Sequence, residues 1–142
     1  MTKPILIGEL NPYGPDPEFA MYPSPRGCAG WRLCHLVLKM DPDDYLEAFD
    51  RRNLLVASKW SAPRAREAAA QLVRESNGAP LILLGAKVAA AFILTFQPFS
   101  TGELPFRFAP PGFSLAQRYV MLPHPSGLCR EACYLSTSSN AR

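Results

Sequence analysis

Four short apolar runs, each followed or preceded by a helical segment, constrain the fold of this chain more than any other feature. The runs cover residues 4–9, 53–58, 80–84 and 119–122, so each has the length of a buried strand and not of a helix. Strands that alternate with helices form a parallel sheet covered on both faces. The sequence therefore predicts an α/β fold, a three-layer α/β/α sandwich around a central, mostly parallel four-stranded sheet.

The segments between the runs carry helix start signals. Asp41 and Ser61 are typical N-cap residues, and each precedes a proline in the first turn, at Pro42 and Pro63. The predicted helices cover residues 29–40, about 42–49, 61–75 and 86–94. Residues 10–28 and 96–114 are rich in proline and are predicted to be irregular loops.

Length and composition favour one globular domain spanning residues 1–142, with residues 135–142 as a frayed tail. Apolar residues make up 48% of the chain, which excludes general disorder. The net charge of +3 permits a nucleic-acid partner without requiring one. No apolar run is long enough for a signal peptide or a membrane span, so we expect a cytoplasmic protein with no membrane partner.

Four cysteines raise the question of a metal site. Cys28 and Cys34 are separated by five residues, and Cys129 and Cys133 by three. These spacings match neither a zinc knuckle nor a common iron–sulfur motif. We therefore expect reduced thiols, no bound metal and no cofactor.

Polar residues stand where the first and last apolar runs end. The first run continues as Gly8-Glu9-Leu10-Asn11-Pro12-Tyr13, and the last leads to His124-Pro125-Ser126-Gly127. Because the carboxyl ends of parallel strands meet at one edge of a sheet, these groups are expected to converge there. Asn53 begins its run instead of ending it, so a strand that starts nearer residue 49 would bring it closer to that edge.

These motifs, taken together and in this order, resemble the motifs of the uracil-DNA glycosylase superfamily. Asn11-Pro12-Tyr13 is similar to the family's water-activating loop, and Gly8-Glu9 to the opening of its iron–sulfur branch, which leaves Glu9 and Asn11 as alternatives for the catalytic slot. Arg52-Asn53-Leu54-Leu55 resembles the strand whose asparagine reads the flipped base. Residues 29–33 and 83–87 are weaker matches, and the resemblance spans residues 5 to 130.

The resemblance implies three catalytic residues, His124, Asn11 and Glu9. The departing base leaves as an anion, so His124, held neutral, is expected to donate a hydrogen bond to it. Asn11 is expected to orient the attacking water, and Glu9 is the nearby carboxylate that can take its proton.

The resemblance also implies base-binding and DNA-binding residues. Tyr22 is expected to stack on the flipped base, Tyr13 to crowd its carbon 5, and Asn53 to read its edge. The loop after His124 is expected to contact DNA through Ser126, Gly127, the wedge residue Leu128, and Arg130. In contrast, the simplest interpretation is that four arginines are solvated surface charges: Arg51, Arg52, Arg64 and Arg66. His35 is interpreted as a structural residue.

The predicted function is that of a cofactor-free, monomeric DNA glycosylase that excises uracil or a modified pyrimidine from DNA. Two alternatives remain open at this point. The same fold can act on a hypermodified base or a free nucleoside, or it can bind a flipped base without cleaving it.

Overall fold

The computed structural model describes residues 3–10, 17–56, 59–104 and 117–125, and within these ranges the chain forms one mixed sheet. Its strands are β1 (Ile5–Leu10), β2 (Asp50–Leu55), β3 (Leu81–Leu84), β4 (Thr101–Glu103) and β5 (Arg118–Leu122). The strand order is β2-β1-β3-β5-β4. The first four strands in this order pair in parallel, and β4 pairs antiparallel with β5 at one edge.

The sheet corrects the predicted strand number, because it has five strands among the described residues and not four. The additional strand, β4, falls in a segment predicted to be irregular. Its sequence Thr-Gly-Glu has no apolar pattern, and its pairing with β5 alone makes it a strand. Gly102 permits this pairing, since a Cβ atom there would lie 2.6 Å from the Tyr119 hydroxyl oxygen.

Strand β2 begins at Asp50, three residues before its predicted start. It lies at the other edge of the sheet, where charged side chains can point to solvent while the backbone pairs with β1. The register pairs Ile5 with Asp50 and Gly8 with Asn53. Asn53 is therefore in the second half of its strand, as the predicted convergence requires.

The helical segments are a 3₁₀ turn at Pro17–Phe19, α1 (Ala29–Arg32) with a π-helical continuation at Leu33–Val37, α2 (Pro42–Ala48), α3 (Ala62–Glu75) and α4 (Ala86–Ala91). Two predicted N-caps are confirmed. The Asp41 carboxylate accepts a hydrogen bond from the Asp43 amide at 3.1 Å, and the Ser61 hydroxyl accepts one from the Arg64 amide at 3.4 Å. No helix in the described ranges is long and apolar enough to cross a membrane.

Helices pack on both faces of the sheet because the side chains of β1 and β3 alternate between two apolar clusters. Ile5, Ile7, Leu81 and Leu83 belong to one cluster, which includes buried side chains of α3 and α4. Leu6 and Leu84 belong to the other, together with residues of the α1 region and α2. Burying such a side chain contributes about 1.5–3 kcal/mol, so both faces stabilise the central strands.

Candidate functional site

The carboxyl edge of the sheet contains a point at which the chain diverges. From β1 the chain moves to β2 on one side, and from β3 it moves to β4 and then β5 on the other, although β1 and β3 are neighbours. In open α/β sheets the crevice beyond such a pair of strands is the usual place for a ligand. The residues at this place are Gly8 and Glu9 in β1, Gly85 after β3, and His124 two residues after β5.

Gly85 and His124 are in direct contact. Gly85 has a φ of +94°, and a Cβ atom added there would lie 2.8 Å from the Cβ atom of His124. The Gly85 amide also donates a hydrogen bond to the Leu122 carbonyl at 2.8 Å, which ties the end of β3 to the end of β5. Pro125, the next residue, is fully buried. The backbone on both sides of His124 is thus fixed by packing.

The environment of His124 favours the neutral imidazole. Burial lowers the pKa of His124 below its ordinary value; the Glu9 carboxylate acts in the opposite direction, and the Lys87 ammonium lowers the pKa further. The net shift is downward, so His124 is neutral at pH 7. Glu9 in β1 and Lys87 in the first turn of α4 are therefore close enough to act electrostatically on the same ring.

Asn53 carries the second half of the site. Its side-chain oxygen lies over Gly8, where a Cβ atom would collide with it and would also come within 3.0 Å of the Met21 sulfur. Both amide atoms, Nδ2 and Oδ1, are buried and have no hydrogen-bond partner among the described residues. An unsatisfied buried polar group costs about 1–3 kcal/mol, so this amide is arranged for a partner outside the described chain.

Tyr22 follows Met21, whose sulfur lies over Gly8 together with the Asn53 side-chain oxygen. Its neighbour Met21 packs against Gly8, and its ring makes an edge contact with Phe19 at 5.7 Å between ring centroids. The ring is half-buried, so part of its surface remains accessible. Tyr22 therefore retains the accessible ring surface that stacking on a base requires.

The two halves of the site are separated by the width of three strand spacings. Asn53 is in β2 and His124 follows β5, with β1 and β3 between them. Three spacings of about 4.8 Å give ~14 Å between the backbones of the outer strands. Strand alternation places Gly8 and Glu9 on opposite faces of β1. The Asn53 amide lies on the Gly8 side, and Glu9 acts electrostatically on His124.

The structure thus brings together two groups of predicted residues, Glu9 with His124 and Tyr22 beside Asn53. The other predicted site residues lie outside the described residues: Asn11, Tyr13, Ser126, Gly127, Leu128 and Arg130. Their roles stay predictions.

The expectation that arginines are solvated charges is wrong for one of them. Arg51 donates from Nη1 to the carbonyls of Glu18 and Ala20 and lies over the Tyr22 ring. Arg52, Arg64 and Arg66 are exposed, as expected. His35, taken as structural, packs against Trp31 at 5.0 Å between ring centroids.

The described cysteines make local hydrogen bonds. Cys28 accepts from the Trp31 amide at 3.4 Å and donates to the Tyr22 carbonyl at 3.5 Å. Cys34 donates to the Met40 carbonyl at 3.3 Å, and burial, followed by the Asp41 charge, raises the pKa of its thiol. Among the described residues no three His, Cys, Asp or Glu side chains cluster in a way that would hold a metal, and Cys129 and Cys133 lie outside that part of the chain.

Sequence reasoning missed the residues that support the site. Lys87 falls within the weak match at residues 83–87, and nothing in the sequence connects Arg51 with Tyr22. Their signal is weak in a sequence, because a charged or aromatic residue acquires a partner only when distant segments pack together. Side chains alternate between the two faces of a strand, so the sequence does indicate that Arg51 and Asn53, which are two residues apart, share a face of β2.

Comparisons with known proteins do not assign the chain to a family. No protein-family model matches it, and no characterised protein matches it in sequence.

Proposed function

We propose that this protein is a DNA glycosylase similar to the uracil-DNA glycosylase superfamily, which flips uracil or a modified pyrimidine out of DNA and hydrolyses its N-glycosidic bond. The observation that carries the proposal is the buried amide of Asn53, which has no partner among the described residues and lies at the carboxyl edge of the sheet that also presents His124. The resemblance of the surrounding motifs points to the same chemistry.

The Asn53 amide suits the edge of a pyrimidine. Its Oδ1 atom can accept a hydrogen bond from a ring N–H group, and its Nδ2 atom can donate to a neighbouring carbonyl oxygen. Uracil offers this donor and acceptor side by side. Cytosine has the inverse pattern at this edge, so selectivity for uracil requires that the site hold the Asn53 amide in one of its two orientations.

The neutral state of His124 suits the departing base. Cleavage leaves negative charge on the base, and a donor in a site that excludes water stabilises this charge more strongly than water does. The lowered pKa of His124 keeps the ring uncharged at pH 7. The neutral ring can donate a hydrogen bond to the base without the free-energy cost of burying a charged imidazolium. Glu9, which acts on the same ring electrostatically, is the carboxylate available to the attacking water.

The remaining parts of the proposal follow from the family resemblance. Helices against both faces of the sheet support a three-layer α/β/α arrangement. Asn11 and Tyr13 would complete the water and base sites. Ser126, Gly127, Leu128 and Arg130 would contact the DNA, and the protein would act as a monomer without a cofactor.

The test is single-turnover excision by the purified protein on labelled oligonucleotides carrying uracil, hydroxymethyluracil or a thymine mismatch, followed by alkali cleavage. We expect excision of at least one pyrimidine, and its loss in His124→Ala but not in the control His35→Ala, which removes the other histidine of the chain. Tight DNA binding without excision of any base would indicate a base-binding module instead. Cleavage of free nucleosides alone would move the substrate outside DNA.

A further inference from the structure

Arg51 holds the segment that carries Tyr22. Its Nη1 atom donates to the Glu18 carbonyl at 2.8 Å and to the Ala20 carbonyl at 3.0 Å, although more than 30 residues separate them in sequence. The guanidinium carbon lies 5.7 Å from the centroid of the Tyr22 ring. One side chain from the edge strand therefore fixes both the backbone before Tyr22 and a face of its ring.

Other contacts hold the same segment on its inner side. The buried hydroxyl of Tyr45 donates to the Met21 carbonyl at 2.7 Å. Met21 has a φ of +51°, and the backbone of Met21 and Tyr22 packs directly on Gly30. Arg51 differs from these residues in that it contacts both the Tyr22 ring and the backbone of the preceding residues.

The adjacent arginine has a different environment. Arg52 is exposed, and its guanidinium donates to the carbonyl of Arg51. Arg51 instead buries its Nε atom, which has no partner among the described residues. Solubility alone would be served by an exposed charge like Arg52, so the half-buried position of Arg51 is explained by what its guanidinium contacts.

We propose that Arg51 is a positioning residue that sets the Tyr22 ring as the stacking wall of the base site beside Asn53. This inference rests on the proposed function, because the ligand that stacks on Tyr22 is the flipped pyrimidine. The guanidinium lies over the Tyr22 ring, which also makes a T-shaped contact with Phe19, so the two contacts constrain the orientation of the ring. Arg51 thereby acts on base affinity through Tyr22 and not on the reacting atoms.

The first experiment is a mutant cycle. Arg51→Met and Arg51→Lys are made in the wild-type and Tyr22→Leu backgrounds, with Arg52→Met as the matched control, and KM and kcat are measured on a single-stranded oligonucleotide carrying uracil. We expect Arg51→Met to raise KM about five- to thirtyfold with little change in kcat, because stacking acts equally on the bound substrate and the transition state. Arg51→Lys should recover part of this loss, since an ammonium replaces one donor but not the planar fork.

The Tyr22→Leu background separates positioning from general destabilisation. If Arg51 acts through the ring, Arg51→Met causes no further rise in KM once the ring is absent. An equal rise in both backgrounds would show that Arg51 acts independently of Tyr22 and would overturn the inference. Thermal unfolding of every variant is recorded, and if Arg51→Met does not fold, the same cycle with Arg51→Lys decides the question.

A second measurement, by NMR, needs no substrate and tests the positioning role of Arg51 separately from the glycosylase function. Arg51→Met should shift the NMR resonances of the Tyr22 ring, and Arg52→Met should leave them unchanged. Shifted resonances in a protein that excises no base would leave the Arg51–Tyr22 contact standing and reject the glycosylase. Unchanged resonances together with a wild-type KM would reject the positioning role whether or not the protein is a glycosylase.

Discussion

Replacing Gly85 with alanine perturbs the site through two physical effects. The residue has φ +94° and ψ 170°, a conformation that is essentially restricted to glycine, and forcing another residue into it costs about 1–3 kcal/mol. The new Cβ atom would also lie 2.8 Å from the Cβ atom of His124 and 3.5 Å from its backbone nitrogen. Such overpacking costs roughly 1–3 kcal/mol more, so we expect a total loss of about 2–6 kcal/mol in the free energy of unfolding.

Gly27 provides the matched control. It has a φ of +90°, almost the value of Gly85, but a Cβ atom there would meet nothing within 4 Å. Gly27→Ala should therefore carry only the backbone strain, about 1–3 kcal/mol. The difference between the two variants isolates the contact with His124.

Urea unfolding measures both stabilities, and single-turnover excision on the uracil oligonucleotide measures the function. Gly85→Ala should lose more stability than Gly27→Ala, and it should also lose excision because the backbone that holds His124 must move. Equal stability losses combined with a wild-type excision rate in Gly85→Ala would refute the view that this contact positions the histidine.

Four further predictions concern the side chains of the site. His124→Ala should lower single-turnover excision by about a hundred- to a thousandfold with little change in DNA affinity, because a lost donor of this kind acts in the transition state; equal losses in rate and affinity would contradict this. Asn53→Leu removes an unpaired buried amide, so it should leave the free energy of unfolding in urea unchanged or raise it by about 1 kcal/mol. The same variant should abolish base recognition. Asn53→Asp should instead change which base is excised. Because burial lowers the pKa of His124 below the ordinary value of 6.5, the folded protein binds fewer protons than the unfolded chain below that pH, and the stability should fall as pH drops through 6.5. An NMR titration, with His35→Gln for assignment, should show a higher His124 pKa in Lys87→Met and a lower one in Glu9→Gln, and shifts in the opposite directions would show that these charges do not face the ring.

The local elements of this protein follow from its sequence. Apolar runs of strand length, the caps at Asp41 and Ser61, and the single glycines that follow β3 and α3 act over a few residues, so they are visible without a partner. The alternation of these elements then requires parallel pairing, because the chain must cross over a face of the sheet between consecutive strands. The same reasoning places the polar residues at the ends of these strands, Glu9 and His124 among them, at the carboxyl edge of the sheet.

Tertiary packing decided the rest. Strand β4 exists because β5 offers an unpaired edge, and β2 extends back to Asp50 because an edge strand tolerates charge on its solvent side. The same packing determines which polar groups have partners: Arg51 finds the carbonyls before Tyr22, Lys87 acts on His124, and the Asn53 amide is buried over Gly8 without a partner among the described residues. These relations join residues 31 to 45 positions apart in the chain. A sequence specifies the chemical capacity of each side chain, but burial and distance, which set hydrogen bonding and pKa, arise only when such distant segments meet.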